Sequence, residues 1–398
     1  MPSGRASRWM PGATSATSTT CAPSLPRPPL PTSESGWPGS LPASTVGHMA
    51  INGSVGPSAE GTALPGTVDV HSHAMPLPLL ERLAERGLAD LAGVPDGIVR
   101  LDPRVSGVGP LAPLPLARSQ YDVDVRLAEM DEVGVERHAV SLPPFLFCST
   151  ADDEAFATGI VGAANDELAV YVADDPDRLI ALGSVPLGWR GAADEARRCL
   201  DDLGMAGIAI GSRGAGRDLD DPVNDELWAL LSERETFVFL HPSGVPDPHR
   251  QADFWLPQLV GYPMETALAV ARLVFGRVLE RHPLNLCLAH GGGCLPALRG
   301  RLDMGWDRKE VAHTTAVPPS AFTDRLYYDT AVFSGVLLRR LVEDVGTDHV
   351  LLGTDHPFEL GDRAPLDTVR ALGLDADATR AILGGNAASL LGLSVSRR

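Results

Sequence analysis

The stretch GTVDVHSHAMP, residues 66–76, closes an alternating apolar run with two histidines two positions apart. Side chains on a β-strand alternate between faces, so residues two apart project the same way. Read as a strand, the stretch sets Val68, Val70 and Ser72 on one face and Asp69, His71 and His73 on the other. Two imidazoles at that spacing can reach one metal ion. An H-x-H pair is more often two unrelated, hydrogen-bonded histidines. The reading therefore turns on whether further ligands end other strands.

Seven more apolar runs follow: RHAVSL (137–142), LIALGSV (179–185), AGIAIG (206–211), TFVFLH (236–241), LNLCLAH (284–290), RLYYDT (325–330) and HVLLGTD (349–355). Helical stripes lie between them. Val223, Leu227, Leu230 and Leu231 form one; Met264, Leu268, Ala271, Phe275 and Val278 another; Ala192, Ala196, Cys199 and Leu203 a third. Each is spaced as a helix face packed on a core. Buried-type strands alternating with helices predict an α/β fold, a closed (β/α)8 TIM-type barrel over residues 66–398. An open doubly wound sheet is second, because no G-x-G-x-x-G follows any strand. The HGGG at 290–293 has no G-x-S-x-G companion, which argues against an esterase.

About fifty residues separate the first strand from the helix predicted near 124–133, among them DGIVRLDPRVSGVGPLAPLPLARSQYD. So long a connection reads as a cap segment after strand one, roofing the pocket. Residues 1–65 are rich in Ser, Thr, Pro and Gly, with no acidic residue before Glu34. They read as a disordered leader, with Met49 an alternative start and residues 1–48 dispensable.

A formal charge of -18 leaves no basic stripe for nucleic acid. No run approaches the length of a membrane helix. Five cysteines without C-x-x-C spacing suggest reduced, structural thiols and a cytoplasmic protein.

Active sites of such barrels lie at the C-terminal ends of the strands. Strand one offers His71 and His73, strand five His241, strand six His290 and strand eight Asp355, from a chain with eleven histidines. The other histidines fall in the leader, at strand starts, in helices or in loops, and read as solvated or hydrogen-bonded. His356 alone is kept as a further pocket residue. Three neutral imidazoles and one carboxylate leave a divalent site with net charge +1 and room for a water of lowered pKa. Zinc suits a nitrogen-rich set best, with manganese or iron next.

The pattern from 66 to 393 resembles the amidohydrolase superfamily, in the branch typified by aminocarboxymuconate-semialdehyde decarboxylase. The resemblance is carried by VDVHSHAMP, RLAEMDEVGVERHAVSLP, LGMAGIAIGS, FLHPSG, the long LVGYPMETALAVARLVFGRVLERHPLNLCLAHGGGCLPALRGR, LLGTDHPF and ILGGNAASLLGL. It implies metal ligands at His71, His73, His241 and Asp355, with Asp355 also in the catalytic set beside His290, the acid/base. It implies a substrate-carboxylate arginine at Arg301, which in relatives can come from the neighbouring subunit of a homodimer. A second arginine is implied from the cap, where Arg100, Arg104 and Arg118 compete. Lys309 is the only lysine and lies far from strand four, which excludes the lysine-bridged two-metal site of other members. Ser243 stands where the typical decarboxylase carries an aromatic residue.

The implied reaction is a metal-dependent, non-oxidative decarboxylation of a small unsaturated or aromatic carboxylic acid. The same parts would also serve a hydrolase or hydratase acting on an amide, lactone or unsaturated acid.

Overall fold

The computed structural model describes residues 64–110 and 112–393. All but the last two positions of the expected leader, and with them Cys21, His48 and Met49, lie outside those residues.

Eight parallel strands form one sheet in chain order. They are β1 (Leu64–His73), β2 (Val135–Ser141), β3 (Leu179–Ser184), β4 (Gly207–Ile210), β5 (Phe237–Leu240), β6 (Asn285–Leu288), β7 (Tyr327–Asp329) and β8 (Val350–Leu351). Every strand lies within or over one of the runs read from sequence. The last strand returns to the first through three backbone hydrogen bonds. Val70 N–H donates to Leu352 (2.9 Å), Asp355 N–H to His71 (2.9 Å) and His73 N–H to His356 (2.8 Å). The result is the expected TIM-type barrel. Both faces of its strands are covered, so their side chains run apolar without strict alternation, and β4 and β5 are buried throughout. Gly207 permits the close pairing of those two strands, since a Cβ there would meet the Phe237 carbonyl oxygen at 2.6 Å.

Pairing is level across the middle of the barrel, with Leu240 opposite both Ile210 and Leu288. The residues that follow these strands therefore emerge at one rim.

Helices cover the outside, and three of them begin where a short polar side chain accepts from a first-turn N–H group. Asp122 accepts from Val125 to start α1 (Val123–Val133), and Asp153 from Phe156 to start α2 (Glu154–Ala173). Next come α3 (Ala192–Asp201), α4 (Asp225–Glu233), α5 (Tyr262–Phe275), α6 (Leu295–Arg308) and α7 (Gly335–Val345). The stripes on α3 and α4 face inward as expected, through Ala192, Ala196, Cys199, Leu227, Leu230 and Leu231.

The stripe on α5 does not. Met264 and Leu268 are 45% and 48% exposed, whereas Ala267, Val270, Leu273 and Val274 are buried. This helix is apolar on two sides, and the barrel takes the side with the smaller residues near its start. Periodicity alone could not choose between them.

The connection after β1 is structured. It holds a helix (Leu77–Glu85) and a three-stranded antiparallel sheet (Ala89–Asp90, Ile98–Leu101, Leu114–Pro115). Leu79, Leu80, Leu83, Val99 and Val105 contribute to its buried side. It is tied to the barrel at the rim, where Met75 N–H donates to Gln120 and the Thr150 hydroxyl donates to Pro103 (3.0 Å). Cys148, Cys199 and Cys287 are buried free thiols. No described helix is long and apolar enough to cross a membrane.

The two faces of α5 separate in a stability measurement. Leu273→Ala should cost about 2–5 kcal/mol in urea unfolding, the range for a buried leucine truncated in a packed core. A loss below about 1 kcal/mol would show that the buried face has been misassigned.

Candidate metal centre

His71 and His73 leave the end of β1 on one face, as the alternation requires. His241 follows β5 directly, His290 lies two residues past β6, and Asp355 follows β8. The five side chains converge. One ligand atom each from His71, His241, His290 and Asp355 lies within 4.8 Å of the others. The Asp355 Oδ1 is 3.1 Å from His71 Nε2 and 3.3 Å from His73 Nε2, and its Oδ2 is 3.6 Å from His290 Nε2.

The hydrogen bonds on the far sides of the rings decide what each imidazole can do. A carboxylate, a carbonyl or a hydroxyl that has already donated can only accept, so the ring nitrogen facing it carries the proton. His71 Nδ1 faces the Asp329 carboxylate at 2.6 Å, and His241 Nδ1 faces the Pro242 carbonyl at 2.9 Å. His73 Nδ1 lies 3.1 Å from the Ser141 hydroxyl, which itself donates to Ser72. When neutral, each of the three rings thereby carries its proton on Nδ1, with Nε2 facing the same space. His290 differs: its Nδ1 is buried with no hydrogen-bond partner. Nothing fixes its tautomer.

His71 Nε2, His73 Nε2 and Asp355 Oδ1 are likewise buried without a hydrogen-bond partner. Such groups are costly unless something satisfies them. A proton between His71 and Asp355 satisfies one pair; a cation at the centre satisfies all of them. Burial pushes His73 down to about 4 and His241 well below the usual histidine value, so both are neutral, as ligands must be. Burial also opposes charge on His71, but Asp355 and Asp329 overcome it and raise that group to about 10. Asp355, against the penalty of its own burial, is held well below the usual carboxylate range, chiefly by His71. Two buried carboxylates around one imidazole leave the site short of positive charge. The donor set fits a single divalent ion.

Two turns here adopt left-handed backbone without glycine, His290 at φ 56° and Asp355 at φ 64°. Each costs on the order of 1 kcal/mol or more and persists only where surroundings enforce it. Asp329 does part of that work. Its Oδ1 accepts from the N–H groups of Gly291 (2.7 Å) and Ala331 (3.1 Å), while its Oδ2 holds His71. Gly293 completes the His290 loop, where a Cβ would meet the Pro263 carbonyl oxygen at 2.4 Å. Aromatic rings wall the site: Tyr262 is 5.8 Å from His241, Phe358 5.3 Å from His73, and Phe145 6.0 Å from Phe358. Burial and the nearby Asp355 push the Tyr262 phenol up to about 12, which keeps it a neutral donor.

The arginines expected to bind substrate are not brought to this cluster. Arg104 forks onto Asp102 (3.0 and 3.1 Å), Arg118 binds Asp122 (2.8 Å), and Arg100 lies 4.0 Å from Asp90. Arg104 and Arg118 are exposed and pair with acids close in sequence, and Arg100 with the acid opposite it on the neighbouring cap strand. Arg301 lies on the exposed surface of α6 and has no ion pair among the described residues. His356 points away from the pocket, to Glu129 (2.8 Å). His138, read as a strand-start residue open to solvent or hydrogen bonding, is buried within β2 and bonded to Arg126. Asp329 went unread although it ends β7, the one strand end whose acid has no histidine beside it. Ser243 bonds to its neighbouring loop, through its N–H to Ser212 and its hydroxyl to Arg213.

Residues 68–393 match the family described as Amidohydrolase, and the chain belongs to that family. Within it the chain is a metal-dependent, non-oxidative decarboxylase. The 2-amino-3-carboxymuconate-6-semialdehyde decarboxylase of Dictyostelium discoideum is 35% identical over 285 residues, 70% of this chain and 78% of its own length. The gamma-resorcylate decarboxylase of Rhizobium sp. (strain MTP-10005) is 30% identical over 268 residues, 61% of this chain and 78% of that one. The crystal structure of 5-carboxyvanillate decarboxylase LigW from Sphingomonas paucimobilis aligns with a TM-score of 0.70 at 25% identity. It covers 83% of this chain and 100% of that one. Decarboxylation, not hydrolysis of an amide or lactone, is the reaction these relatives share.

Asp329 carries a direct expectation. Asp329→Asn would set an NH2 group against a donor on one side or the other, either His71 Nδ1–H or the Gly291 N–H. Affinity for a divalent ion should fall about 10–100-fold, the usual effect of removing a partner behind a ligating histidine. Chelator competition on the purified variant measures it, and affinity equal to the native protein's would remove Asp329 from the centre.

Proposed function

We propose that this chain removes carbon dioxide from a small aromatic or open-chain unsaturated carboxylic acid at one divalent ion, zinc, held by His71, His73, His241 and Asp355. The carrying observation is the tautomer pattern. Three imidazoles have Nδ1 pinned and Nε2 turned to the centre, while the Nδ1 of His290 has no hydrogen-bond partner. A ligand needs a fixed lone pair; an acid/base group needs to gain and lose a proton. The substrate class is supported by the aromatic rings of Tyr262, Phe145 and Phe358 and by the acids after which the relatives are named.

When bound, the ion supplies positive charge that orients an oxygen of the substrate and stabilises charge developing in the transition state. The chain's own residues do the rest. The C–C bond to the carboxylate breaks, its electron pair stays on the substrate carbon, and His290 Nε2 delivers a proton there as carbon dioxide leaves. Asp355 Oδ2, 3.6 Å from that nitrogen, orients the ring. The aromatic rings keep water from competing for the carbanionic carbon.

The reading extends to a homodimer. Leu298 and Met304 are exposed on α6, flanking Arg301, and Met264 and Leu268 are exposed on α5, against which α6 packs. An apolar face carrying an unpaired arginine suits a second copy of this chain, in which Arg301 approaches the partner's site and holds a substrate carboxylate. The buried free thiols favour a cytoplasmic setting.

Elemental analysis of active protein should find about one divalent ion per chain. His73→Ala should lose both ion and activity. His290→Asn should keep the ion and the circular-dichroism spectrum while turnover falls about 100- to 10,000-fold, the range for general acid–base catalysis. Loss of metal from His290→Asn would instead make His290 a ligand. Release of carbon dioxide from 2,6-dihydroxybenzoate and related acids tests the substrate class. Leu268→Glu should convert a dimer to a monomer by light scattering; a native protein that is monomeric at assay concentration ends the dimer reading.

A further inference from the structure

Beside the seam where β8 meets β1 lies a buried cation that the chemistry above does not use. Arg126, on α1, has no exposed surface. Its Nη2 donates to the carbonyl oxygen of His73. Its Nε donates to the Ser119 carbonyl (3.1 Å) and the Tyr171 hydroxyl (2.8 Å), and its Nη1 lies 3.1 Å from His138 Nδ1. A guanidinium only donates, so His138 accepts at Nδ1 and carries its proton on Nε2. That nitrogen is 3.5 Å from Asp69 Oδ2.

Asp69 in turn holds both sides of the seam. It accepts from the N–H of His71 (2.9 Å), and from the N–H (3.1 Å) and hydroxyl (2.6 Å) of Thr354. One turn further along α1, Glu129 holds His356, the residue after Asp355. Together these contacts touch the backbone of His71 and of His73, and the residues on both sides of Asp355, with only Glu129 partly open to solvent.

A buried guanidinium is costly to desolvate, and no carboxylate touches this one directly: the charge is met by carbonyls, a hydroxyl and a neutral imidazole that relays to Asp69. An apolar side chain of similar length would avoid that cost but would leave the His73 and Ser119 carbonyls without this donor. What an apolar side chain would not do is fix distances between two strands that both carry proposed ligands.

We propose that Arg126 is a positioning residue of the metal centre. By gripping the His73 carbonyl and, through His138 and Asp69, the Thr354 turn, it sets the separation between the first-strand imidazoles and the Asp355 carboxylate, and so the affinity for the ion. The proposal rests on the metal reading above.

Chelator competition on the full chain, with zinc as the probe, tests both readings separately. Arg126→Met is expected to weaken zinc binding about 10–100-fold. Its turnover should recover as zinc is raised toward saturation, with little change in KM. Arg126→Lys keeps the charge but loses the fork, and should fall between Met and the native residue. His138→Phe breaks the relay while leaving the guanidinium, and should weaken zinc in the same direction by a smaller factor. It carries the test should Arg126→Met fail to fold. Tyr171→Phe, which removes a hydroxyl from the side of Arg126 away from the centre, should lower thermal stability without moving zinc affinity. Zinc affinity within about twofold of native in a folded Arg126→Met, or in His138→Phe, overturns the positioning role and leaves the metal reading standing. A native chain that binds no zinc or other divalent ion overturns both.

Discussion

Three imidazoles whose Nδ1 protons are already given to Asp329, Ser141 and Pro242 turn three Nε2 atoms toward one buried carboxylate, Asp355. That frustration organises the rest of the molecule. Lone pairs facing lone pairs in a dry pocket repel, and the rings cannot rotate away without abandoning partners on their far sides. The only inexpensive resolution is a positive charge at the centre of the cluster. The far-side partners are therefore part of the centre. A carboxylate behind His71 makes that ring a stronger donor to a metal, whereas a carbonyl behind His241 mainly fixes its orientation.

The barrel delivers this arrangement because parallel strands paired in level register end at one rim, and residues just beyond the ends meet over its axis. Level strands alone do not aim a side chain inward. At β6 and β8 the backbone must turn through the left-handed region at His290 and Asp355. Asp329 sits between these turns and stabilises both the loop of His290 and the ring of His71. One carboxylate therefore couples the residue proposed to move the proton to a residue proposed to hold the ion. A shift of either would be felt by the other.

What sequence made legible follows from the same geometry. His71, His73, His241, His290 and Asp355 could be read because a period-two strand and its immediate end leave few directions for a side chain. The eight strand runs were legible because buried parallel strands are continuous in Val, Ile and Leu. The outward turn of Met264 and Leu268 was not, since α5 is apolar on two sides and one period fits both. The cap arginines misled for another reason. Arg104 and Arg118 have acids two and four residues away, and such local pairs form without reference to the pocket. Arg126 and His138 were hidden because their significance lies in contacts between α1, β1 and β2, which no local pattern encodes.

The apolar walls of the site bear on the reaction itself. A carboxylate is strongly hydrated, whereas carbon dioxide is neutral and nearly apolar, so a pocket lined by Tyr262, Phe145, Phe358 and Phe239 favours the state in which the charge has left the carboxyl group. Left alone, such a pocket would refuse the substrate before it reacted. Cationic groups must therefore admit the acid, and they must do so without stabilising the carboxylate more than the transition state. An ion held by His71, His73, His241 and Asp355, as proposed, would leave the site a net charge of about +1 with which to admit the acid. In the proposed mechanism a proton from His290 would neutralise the carbon that keeps the electron pair, which is why the ring stands within reach of the centre.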